Sequence, residues 1–339
     1  MRAAYFDGSG MVRLERTAEP VPLAGEAVVQ VEYCAFCGSD KRLLKQGSPY
    51  IPGHEIVGRV LAVDEDTSPA RAGDPVAVYS ILHCGTCAWC RRGATNRCSA
   101  MAGLVGWQVD GGFAELVRVP ARNLLPIPAD IPLQQAVLSL DTLGTAAHGV
   151  RRALAMTDAE DRSMLVLGCG PLGLGVVAMA CHSGISVFAH DLDLERVEAA
   201  VALGAVAWGP QGGGAEVASG EAEVRSRFSL VVEASGAPAA KSIASEAVDQ
   251  GGAVLMLGEG EQPWTLPASV RWRRTEAVWT RSFYFPINEA DANWELVRAV
   301  GAPLEELLLT VEPLSQISAV AERFLAGRVT KPVIAMGPR

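Results

Sequence analysis

At 339 residues, the chain is too long for one typical hydrophobic core, which favours two domains. Its 49% hydrophobic and 20% charged residues are typical of a soluble globular protein, and its formal net charge of −9 argues against nucleic acid or an anionic membrane as a partner. The first ten residues lack the apolar run of a secretory signal, so we expect a cytoplasmic protein. In that compartment, the clustered cysteines indicate metal binding and not disulfides.

Up to about residue 140, the chain consists of short strand-like runs separated by glycine and proline. The clearest of these runs are 27–33, 56–63, 75–79 and 113–119. Runs of this kind predict an antiparallel, barrel-like domain.

From about residue 144, predicted strands alternate with predicted helices. The strands are 164–167, 186–189, 230–233 and 253–257, and the helices are 172–183, 194–203 and 239–248. This alternation predicts an α/β domain with a doubly wound parallel sheet and helices on both faces. The uncharged stretch 164–181 has the hydropathy of a membrane span, but its glycines and its proline indicate a strand, a turn and a helix start.

A helix and a strand after about residue 288 are expected to return to the first domain. The predicted domains are therefore 1–143 together with 289–339, and 144–288. A polar, glycine-rich stretch over 211–223 is predicted to be a loop without an evident function.

Four cysteines within 15 residues form the most informative motif of the chain, with the spacing C-x2-C-x2-C-x7-C. They are Cys84, Cys87, Cys90 and Cys98. Four thiolates at this spacing can converge on one tetrahedral Zn2+ and close its shell against water. We therefore predict a structural zinc site that holds a loop in shape and does no chemistry.

A second and incomplete ligand set lies upstream, in Cys37-Gly-Ser39-Asp40 and Gly-His54-Glu55. One thiolate and one imidazole are typical of an open catalytic zinc site, which keeps a position for water or substrate. Asp40 is a candidate acceptor for the second ring N–H of His54, and Ser39 can relay a proton away from the metal. The alternative interpretation is that Cys37 and His54 are core packing residues.

A glycine-rich segment, Gly168-Cys-Gly170-Pro171-Leu172-Gly173, follows a predicted strand and opens a predicted helix. Such glycines permit a tight turn, close approach of a pyrophosphate and close helix–strand packing, while helix N–H groups meet the phosphate charge. Asp191 can bond the ribose hydroxyls and would repel a 2′-phosphate, which favours NAD(H) over NADP(H). A solvated helix cap is the alternative for Asp191. The candidate cofactor-binding residues are Gly168, Gly170, Pro171, Leu172, Gly173, Asp191 and Arg196.

Together with Gly73-Asp74-Pro-Val and Asp110-Gly-Gly-Phe-Ala-Glu115, these motifs make the chain resemble the zinc-dependent medium-chain dehydrogenase/reductase family along nearly its whole length. The resemblance implies a GroES-like antiparallel barrel-like catalytic domain and a Rossmann domain that binds NAD(H). It also implies two Zn2+ per chain, one catalytic and one structural. A homodimer or homotetramer is expected, paired through a sheet edge near residues 277–285.

The family's first two catalytic ligands correspond to Cys37 and His54. The segment Asp141-Thr-Leu-Gly-Thr145-Ala-Ala-His-Gly resembles a branch of bacterial secondary-alcohol dehydrogenases in which Asp is the third ligand. This likeness implies that Asp141 is a zinc ligand, with a helix cap as the alternative. It further implies that Zn2+ polarises the substrate oxygen, that Glu55 lies near the metal and that Thr145 lies against the nicotinamide.

Arg42 departs from the family pattern, because many relatives carry a proton-relaying histidine at this position. Arginine cannot act as a base at physiological pH, so the proton must leave through Ser39, the cofactor ribose and water, or through another group. Arg42 is then either a ligand for an anionic part of the cofactor or substrate, or a surface arginine.

Taken as a whole, the resemblance implies an NAD(H)-linked zinc enzyme with a small-molecule substrate. It would interconvert a secondary alcohol, of polyol, sugar or cyclitol type, and its ketone. The alternatives are a dehydrogenase of simple aliphatic secondary alcohols, a zinc-free reductase of activated C=C bonds and a non-catalytic protein that binds NAD(H).

Overall fold

The computed structural model describes residues 1–63, 68–158, 162–209, 228–266 and 268–337. The chain forms two compact units, residues 1–141 with 286–339 and residues 142–285. The predicted boundaries lie two and three residues further along the chain than these divisions. The loop predicted over 211–223 lies outside the described residues.

The first unit is built mainly from β-strands. Its strands are β1 (Arg2–Phe6), β2 (Val12–Arg16), β3 (Glu26–Ala35), β4 (Glu55–Val63), β5 (Pro75–Val78), β6 (Leu116–Pro120), β7 (Leu124–Pro126), β14 (Leu309–Pro313) and β15 (Lys331–Ala335). Its α-helices are α1 (Asp40–Gln46), α2 (Ala88–Arg91), α3 (Leu133–Ala136), α9 (Ala290–Leu308) and α10 (Ile317–Leu325).

The main sheet of this unit has the order β14-β15-β3-β4-β5-β7, with β6 also paired to β3. Every pair is antiparallel except β14 with β15. The predicted antiparallel domain is thus confirmed. The strand predicted from residue 113 begins only at Leu116, because the preceding backbone bonds to β1: the Ala4 N–H donates to the Phe113 carbonyl at 2.8 Å.

A cluster of buried aromatic rings anchors the chain immediately before Cys37. The ring centroid of Phe36 lies 4.4 Å from that of Phe113 and 5.2 Å from that of Phe324. Phe6 adds a further contact with Phe113 at 5.8 Å. Burial of each such side chain stabilises the unit by roughly 1.5–3 kcal/mol. The cluster therefore fixes the end of β3, where the candidate site begins.

The second unit alternates strands and helices, as the sequence predicts. Its strands are β8 (Ser163–Leu167), β9 (Ser186–His190), β10 (Val206–Ala207), β11 (Phe228–Glu233), β12 (Val248–Met256) and β13 (Val278–Arg281). Its α-helices are α4 (Ala146–Leu154), α5 (Pro171–His182), α6 (Leu194–Ala202), α7 (Pro238–Ala247) and α8 (Val270–Thr275).

All strands of this unit run parallel, in the order β10-β9-β8-β11-β12-β13. This is the order of a doubly wound dinucleotide-binding sheet, so the predicted Rossmann domain is confirmed. β12 begins earlier than predicted, because Val248 pairs with Phe228 ahead of a register irregularity. β13 forms one edge of the sheet and lies in the region predicted for subunit pairing.

The uncharged stretch 164–181 is occupied by β8 and α5, as predicted, and not by one continuous helix. Across the described part of the chain, no helix has both the length and the apolar composition that crossing a membrane requires.

Candidate active site

The turn between β3 and α1 carries Cys37 and is held by Asp40. The Cys37 N–H donates to Asp40 Oδ2 at 2.8 Å, and the Asp40 N–H donates back to the Cys37 carbonyl at 2.9 Å. Asp40 Oδ1 lies 3.5 Å from His54 Nδ1, so this fully buried carboxylate supports both candidate ligands at once. The two atoms face each other, and the role of Asp40 as the acceptor for the His54 N–H stays a prediction.

His54 enters the site from a tight backbone turn that ends at β4. Gly53 immediately before it has φ +96, and a Cβ there would lie 2.7 Å from Cys34 Sγ and 2.9 Å from the Phe113 nitrogen. Only glycine adopts this conformation in so little space. The turn directs His54 Nε2 to within 3.4 Å of Asp141 Oδ2, on the side of the ring opposite to Asp40.

Asp141 completes the cluster from a distant part of the chain. It opens a π-helical segment, Asp141–Thr145, a local form that is frequent at functional sites. Its Oδ2 accepts a hydrogen bond from Cys37 Sγ at 3.1 Å as well as facing His54 Nε2. Ligand atoms of Cys37, His54, Glu55 and Asp141 all lie within 4.8 Å of one another.

The donor set and its spacing fit a zinc ion. Zn–S bonds of about 2.3 Å and Zn–N or Zn–O bonds of about 2.0 Å place tetrahedral ligand atoms roughly 3.3–3.5 Å apart. The separations from Asp141 Oδ2 to Cys37 Sγ and His54 Nε2, 3.1 and 3.4 Å, are close to these values. One sulfur, one nitrogen and one oxygen are also the ligand types expected of a catalytic zinc site.

The charges of Cys37 and Asp141 also favour a bound metal ion. Burial raises the pKa of the Cys37 thiol to about 11, and the negative charge of Asp141 adds to the effect. Burial would also raise the pKa of Asp141, but its hydrogen bond with His54 and the charge of His54 lower it to about 2. A thiolate beside this carboxylate therefore needs a compensating cation, which a divalent metal supplies.

Glu55 forms a buried ion pair that the sequence did not predict. Lys331 Nζ contacts both carboxylate oxygens of Glu55, and its distance to Oε2 is 2.6 Å. The Lys331 side chain is 1% exposed and the Glu55 side chain 0%. Burial raises the pKa of Glu55 to about 7, while the charge of Lys331 opposes that rise. The available signal was a lysine opening the apolar strand 331–335, but the sequence does not reveal its partner.

Two further catalytic candidates, Ser39 and Thr145, lie at the ends of helical segments. Ser39 precedes α1 and its side chain makes no capping hydrogen bond to that helix. Thr145 ends the π-helical segment, is 8% exposed and belongs to the second unit. Their predicted roles stay predictions.

The four-cysteine lobe converges as predicted. Cys84 and Cys90 have their sulfurs 3.9 Å apart, and Cys87 and Cys98 4.0 Å apart. A tetrahedral ZnS4 centre has sulfurs roughly 3.8 Å apart. Backbone N–H groups of Thr86 and Cys87 donate to Cys84 Sγ and lower the pKa of that thiol to about 7. The lobe therefore has the shape and the hydrogen bonds of a thiolate zinc site.

The glycine-rich segment forms the turn between β8 and α5. Gly168 has φ +99, and Pro171 is the first residue of the helix. A Cβ at Gly173 would lie 1.8 Å from the Gly168 carbonyl oxygen, whereas one at Gly170 would meet nothing within 4 Å. Leu172 follows in the first turn of α5. The turn thus has the closed packing at Gly173 and the open backbone at Gly170 that a pyrophosphate loop needs.

Asp191 follows β9 and contacts this loop. Its Oδ2 accepts the Cys169 N–H at 2.7 Å, and its Oδ1 accepts the Asp193 N–H at 3.0 Å. Asp193 is the N-cap of α6, so helix capping does not account for Asp191. Arg196 Nε lies 3.4 Å from Asp193 Oδ2, so the carboxylate of Asp193 partly offsets the positive charge of Arg196.

A parallel sheet with a glycine-rich loop, together with a thiolate–imidazole–carboxylate cluster, is the combination expected of an alcohol dehydrogenase. Comparison with known proteins agrees with this class. The model of the alcohol dehydrogenase GroES-like domain matches residues 23–129. L-threonine 3-dehydrogenase of Streptomyces coelicolor is 32% identical over 282 residues, 78% of each chain. The chain therefore belongs to the zinc-type medium-chain dehydrogenase/reductase family, and the resemblance seen in the sequence is confirmed.

Two further similarities bear on the site. L-galactonate-5-dehydrogenase of Escherichia coli (strain K12) is 33% identical over 184 residues, which span 53% of this chain and only 52% of that protein. An alcohol dehydrogenase from E. coli CFT073, solved with NADH, has a TM-score of 0.86 and 26% identity, and the match covers 99% of each chain.

Proposed function

We propose that this protein is a zinc-dependent, NAD(H)-linked dehydrogenase that interconverts a secondary alcohol and its ketone. The observation that carries the proposal is the convergence of Cys37, His54 and Asp141 from three separate segments. The relatives named for L-galactonate and L-threonine favour a hydroxylated, polar substrate over a simple aliphatic alcohol. We therefore favour a polyol, a sugar or a related hydroxylated compound.

Within this proposal, Cys37, His54 and Asp141 would hold the catalytic zinc, and three protein ligands would leave it open to the substrate oxygen. Zinc bound there would polarise that oxygen and lower the pKa of the alcohol. Lys331 holds both carboxylate oxygens of Glu55, which keeps this fourth potential ligand engaged elsewhere. Cys84, Cys87, Cys90 and Cys98 would hold the structural zinc.

The supporting residues position His54 and move the proton. Asp40 Oδ1 faces His54 Nδ1, which favours the tautomer that presents Nε2 to the metal. Ser39 Oγ accepts the substrate proton and passes it outward. Arg42 cannot relay this proton, because a guanidinium stays protonated at physiological pH.

NAD(H) is the proposed coenzyme, bound by the loop 168–173 and by Asp191, with Thr145 against the nicotinamide. Each Asp191 oxygen accepts one backbone N–H and keeps lone pairs for ribose hydroxyls. The same carboxylate would repel a 2′-phosphate, and Arg196 is paired with Asp193. The relative solved with NADH supports this choice.

The two loop glycines offer a test of cofactor binding. We expect Gly173→Ala to lower the free energy of unfolding by about 1–3 kcal/mol, because its Cβ would meet the Gly168 carbonyl oxygen at 1.8 Å. Gly170→Ala, with no neighbour within 4 Å, should leave the stability unchanged within about 0.5 kcal/mol. It should raise the Kd for NADH by about tenfold, because a methyl group there obstructs the pyrophosphate. Urea unfolding and NADH fluorescence titration measure the two effects, and an unaltered Kd in Gly170→Ala would contradict the assignment.

The proposal as a whole is tested by zinc content and turnover of the purified protein. We expect two zinc ions per chain, one for each cluster, and NAD+-linked oxidation of hydroxylated secondary alcohols. The substrate panel should contain polyols, cyclitols, sugar alcohols and simple aliphatic alcohols, each with NAD+ and NADP+. One zinc per chain with reduction of activated C=C bonds would instead identify a zinc-free reductase. NADH binding without turnover of any alcohol would identify a non-catalytic binder.

A further inference from the structure

Arg42 presents a fixed positive charge close to the catalytic cluster. Its guanidinium carbon lies 4.7 Å from the ring centroid of Trp107, in a cation–π contact. The guanidinium has no ion pair or hydrogen bond with any residue in the described part of the chain. Arg42 is exposed, so its donors remain available to a ligand. Because a cation–π contact restrains the side chain without using its N–H groups, the arginine is oriented and still able to bind an anion.

Trp107 is held beside the site by close backbone packing. Gly106 immediately before it has φ +78, and a Cβ there would lie 2.6 Å from the carbonyl oxygen of Gly53, the residue that precedes His54. The Trp107 N–H donates to the Leu104 carbonyl at 3.1 Å, which closes the turn. The Trp107 and His54 ring centroids are 6.3 Å apart. The indole is therefore part of the wall next to a proposed zinc ligand.

The Arg42–Trp107 and Trp107–His54 distances set an upper limit on the distance between Arg42 and His54. The Arg42 guanidinium carbon lies no more than about 11 Å from the His54 ring centroid, the sum of its distance to Trp107 and the Trp107–His54 distance. Because this value is an upper limit, a chain of at most about four to six carbons, with C–C bonds of about 1.5 Å and a charge-assisted hydrogen bond of about 2.8 Å at its end, is sufficient to connect the two.

The charges near His54 favour an anion at Arg42 and not at the cluster itself. The Cys37 thiolate and the Asp141 carboxylate would balance the two charges of a bound Zn2+, and Glu55 is paired with Lys331, so the cluster offers no net positive charge to a second anionic group of the substrate. A guanidinium matches a carboxylate or a phosphate with paired N–H donors. Trp107 meanwhile offers an apolar surface to the carbon chain between the two ends.

We propose that Arg42 and Trp107 form a subsite for the anionic end, carboxylate or phosphate, of a short hydroxylated substrate. This inference rests on the proposed function and names its substrate class. A phosphate of the coenzyme is the other anion that presents the same chemistry, and the experiment separates the two sources.

The test compares a neutral hexitol, a hexonate and a hexitol phosphate in wild type, Arg42→Gln and Arg42→Lys, with Lys45→Gln as the control. Lys45 is an exposed cation in the last turn of the same helix, three residues after Arg42. We expect Arg42→Gln to lower kcat/KM for the two anionic compounds by about 10- to 100-fold and to leave the neutral hexitol within about twofold. Arg42→Lys should recover part of the loss, and Lys45→Gln should match wild type.

Two further measurements distinguish an anionic group of the substrate from a phosphate of the coenzyme. The Kd values for NADH and NADPH, measured by fluorescence, should not change in Arg42→Gln; a rise in either Kd without a loss confined to anionic substrates overturns the inference. Calorimetric binding of the hexonate to the zinc-loaded protein should weaken to the same extent as kcat/KM. Because this binding needs no turnover, it tests the subsite even if the protein oxidises none of the panel, a result that would contradict only the proposed function. Equal losses for neutral and anionic compounds would also overturn the subsite.

Discussion

Replacement of Asp141 by alanine should reduce the zinc content from two ions to one per chain and lower kcat/KM by at least about 1,000-fold. Asp141 Oδ2 lies 3.1 Å from Cys37 Sγ and 3.4 Å from His54 Nε2, so its loss removes one of three ligands and the contact that brings the other two together. Zinc by mass spectrometry and NAD+-linked turnover on the best substrate measure both effects.

Cys98→Ala is the matched control for this experiment. It should also remove one zinc, but from the four-cysteine lobe, so the catalytic cluster keeps its ligands. Turnover, expressed relative to the amount of folded protein, should then fall far less than in Asp141→Ala. Asp141→Ala with two zincs and full turnover would show that Asp141 is not a ligand.

How far the sequence could predict the site depends on the separation of its residues along the chain. The loop 168–173 and the four-cysteine lobe are each contained in a few consecutive residues, so their spacing alone carried the geometry. Asp141 lies 104 residues from Cys37, and only the family resemblance connected the two. Physical reasoning from local spacing gives no information about such a pairing.

The features that the sequence did not predict also depend on contacts between residues far apart in the chain. Lys331 and Glu55 are 276 residues apart, and although the resemblance places Glu55 near the metal, nothing in the sequence identifies Lys331 as its partner. Trp107 lies in a turn whose position follows from the approach of Gly106 to Gly53. Tertiary contacts of this kind also explain the displaced start of β6, since the backbone before it pairs with β1.

Lys331→Ala should lower the free energy of unfolding by about 3–5 kcal/mol at neutral pH, because it leaves the buried carboxylate of Glu55 without its partner. Arg298→Ala is the matched control. It breaks the exposed Arg298–Asp130 pair, which spans 2.6 Å, and should cost less than about 1 kcal/mol. Urea unfolding of the zinc-loaded proteins measures both values, and equal costs would contradict the assigned role of the buried pair.

The pH dependence of this cost has a definite sign. Burial raises the pKa of Glu55 from 4.5 to about 7 even with Lys331 present, and removal of Lys331 takes away the charge that opposes the rise. A carboxyl whose pKa is higher in the folded state holds its proton more tightly there, so its contribution to stability is complete below the unfolded pKa and is lost as the pH rises. Lys331→Ala should therefore be more destabilising at pH 8 than at pH 5 when the proteins are compared without zinc in the catalytic cluster, because a metal ion beside Glu55 would favour its carboxylate form. The double variant Glu55→Gln with Lys331→Met, which removes both charges, should recover most of the loss and show little of this dependence. A cost that does not change between the two pH values would mean that Glu55 is not the group left uncompensated.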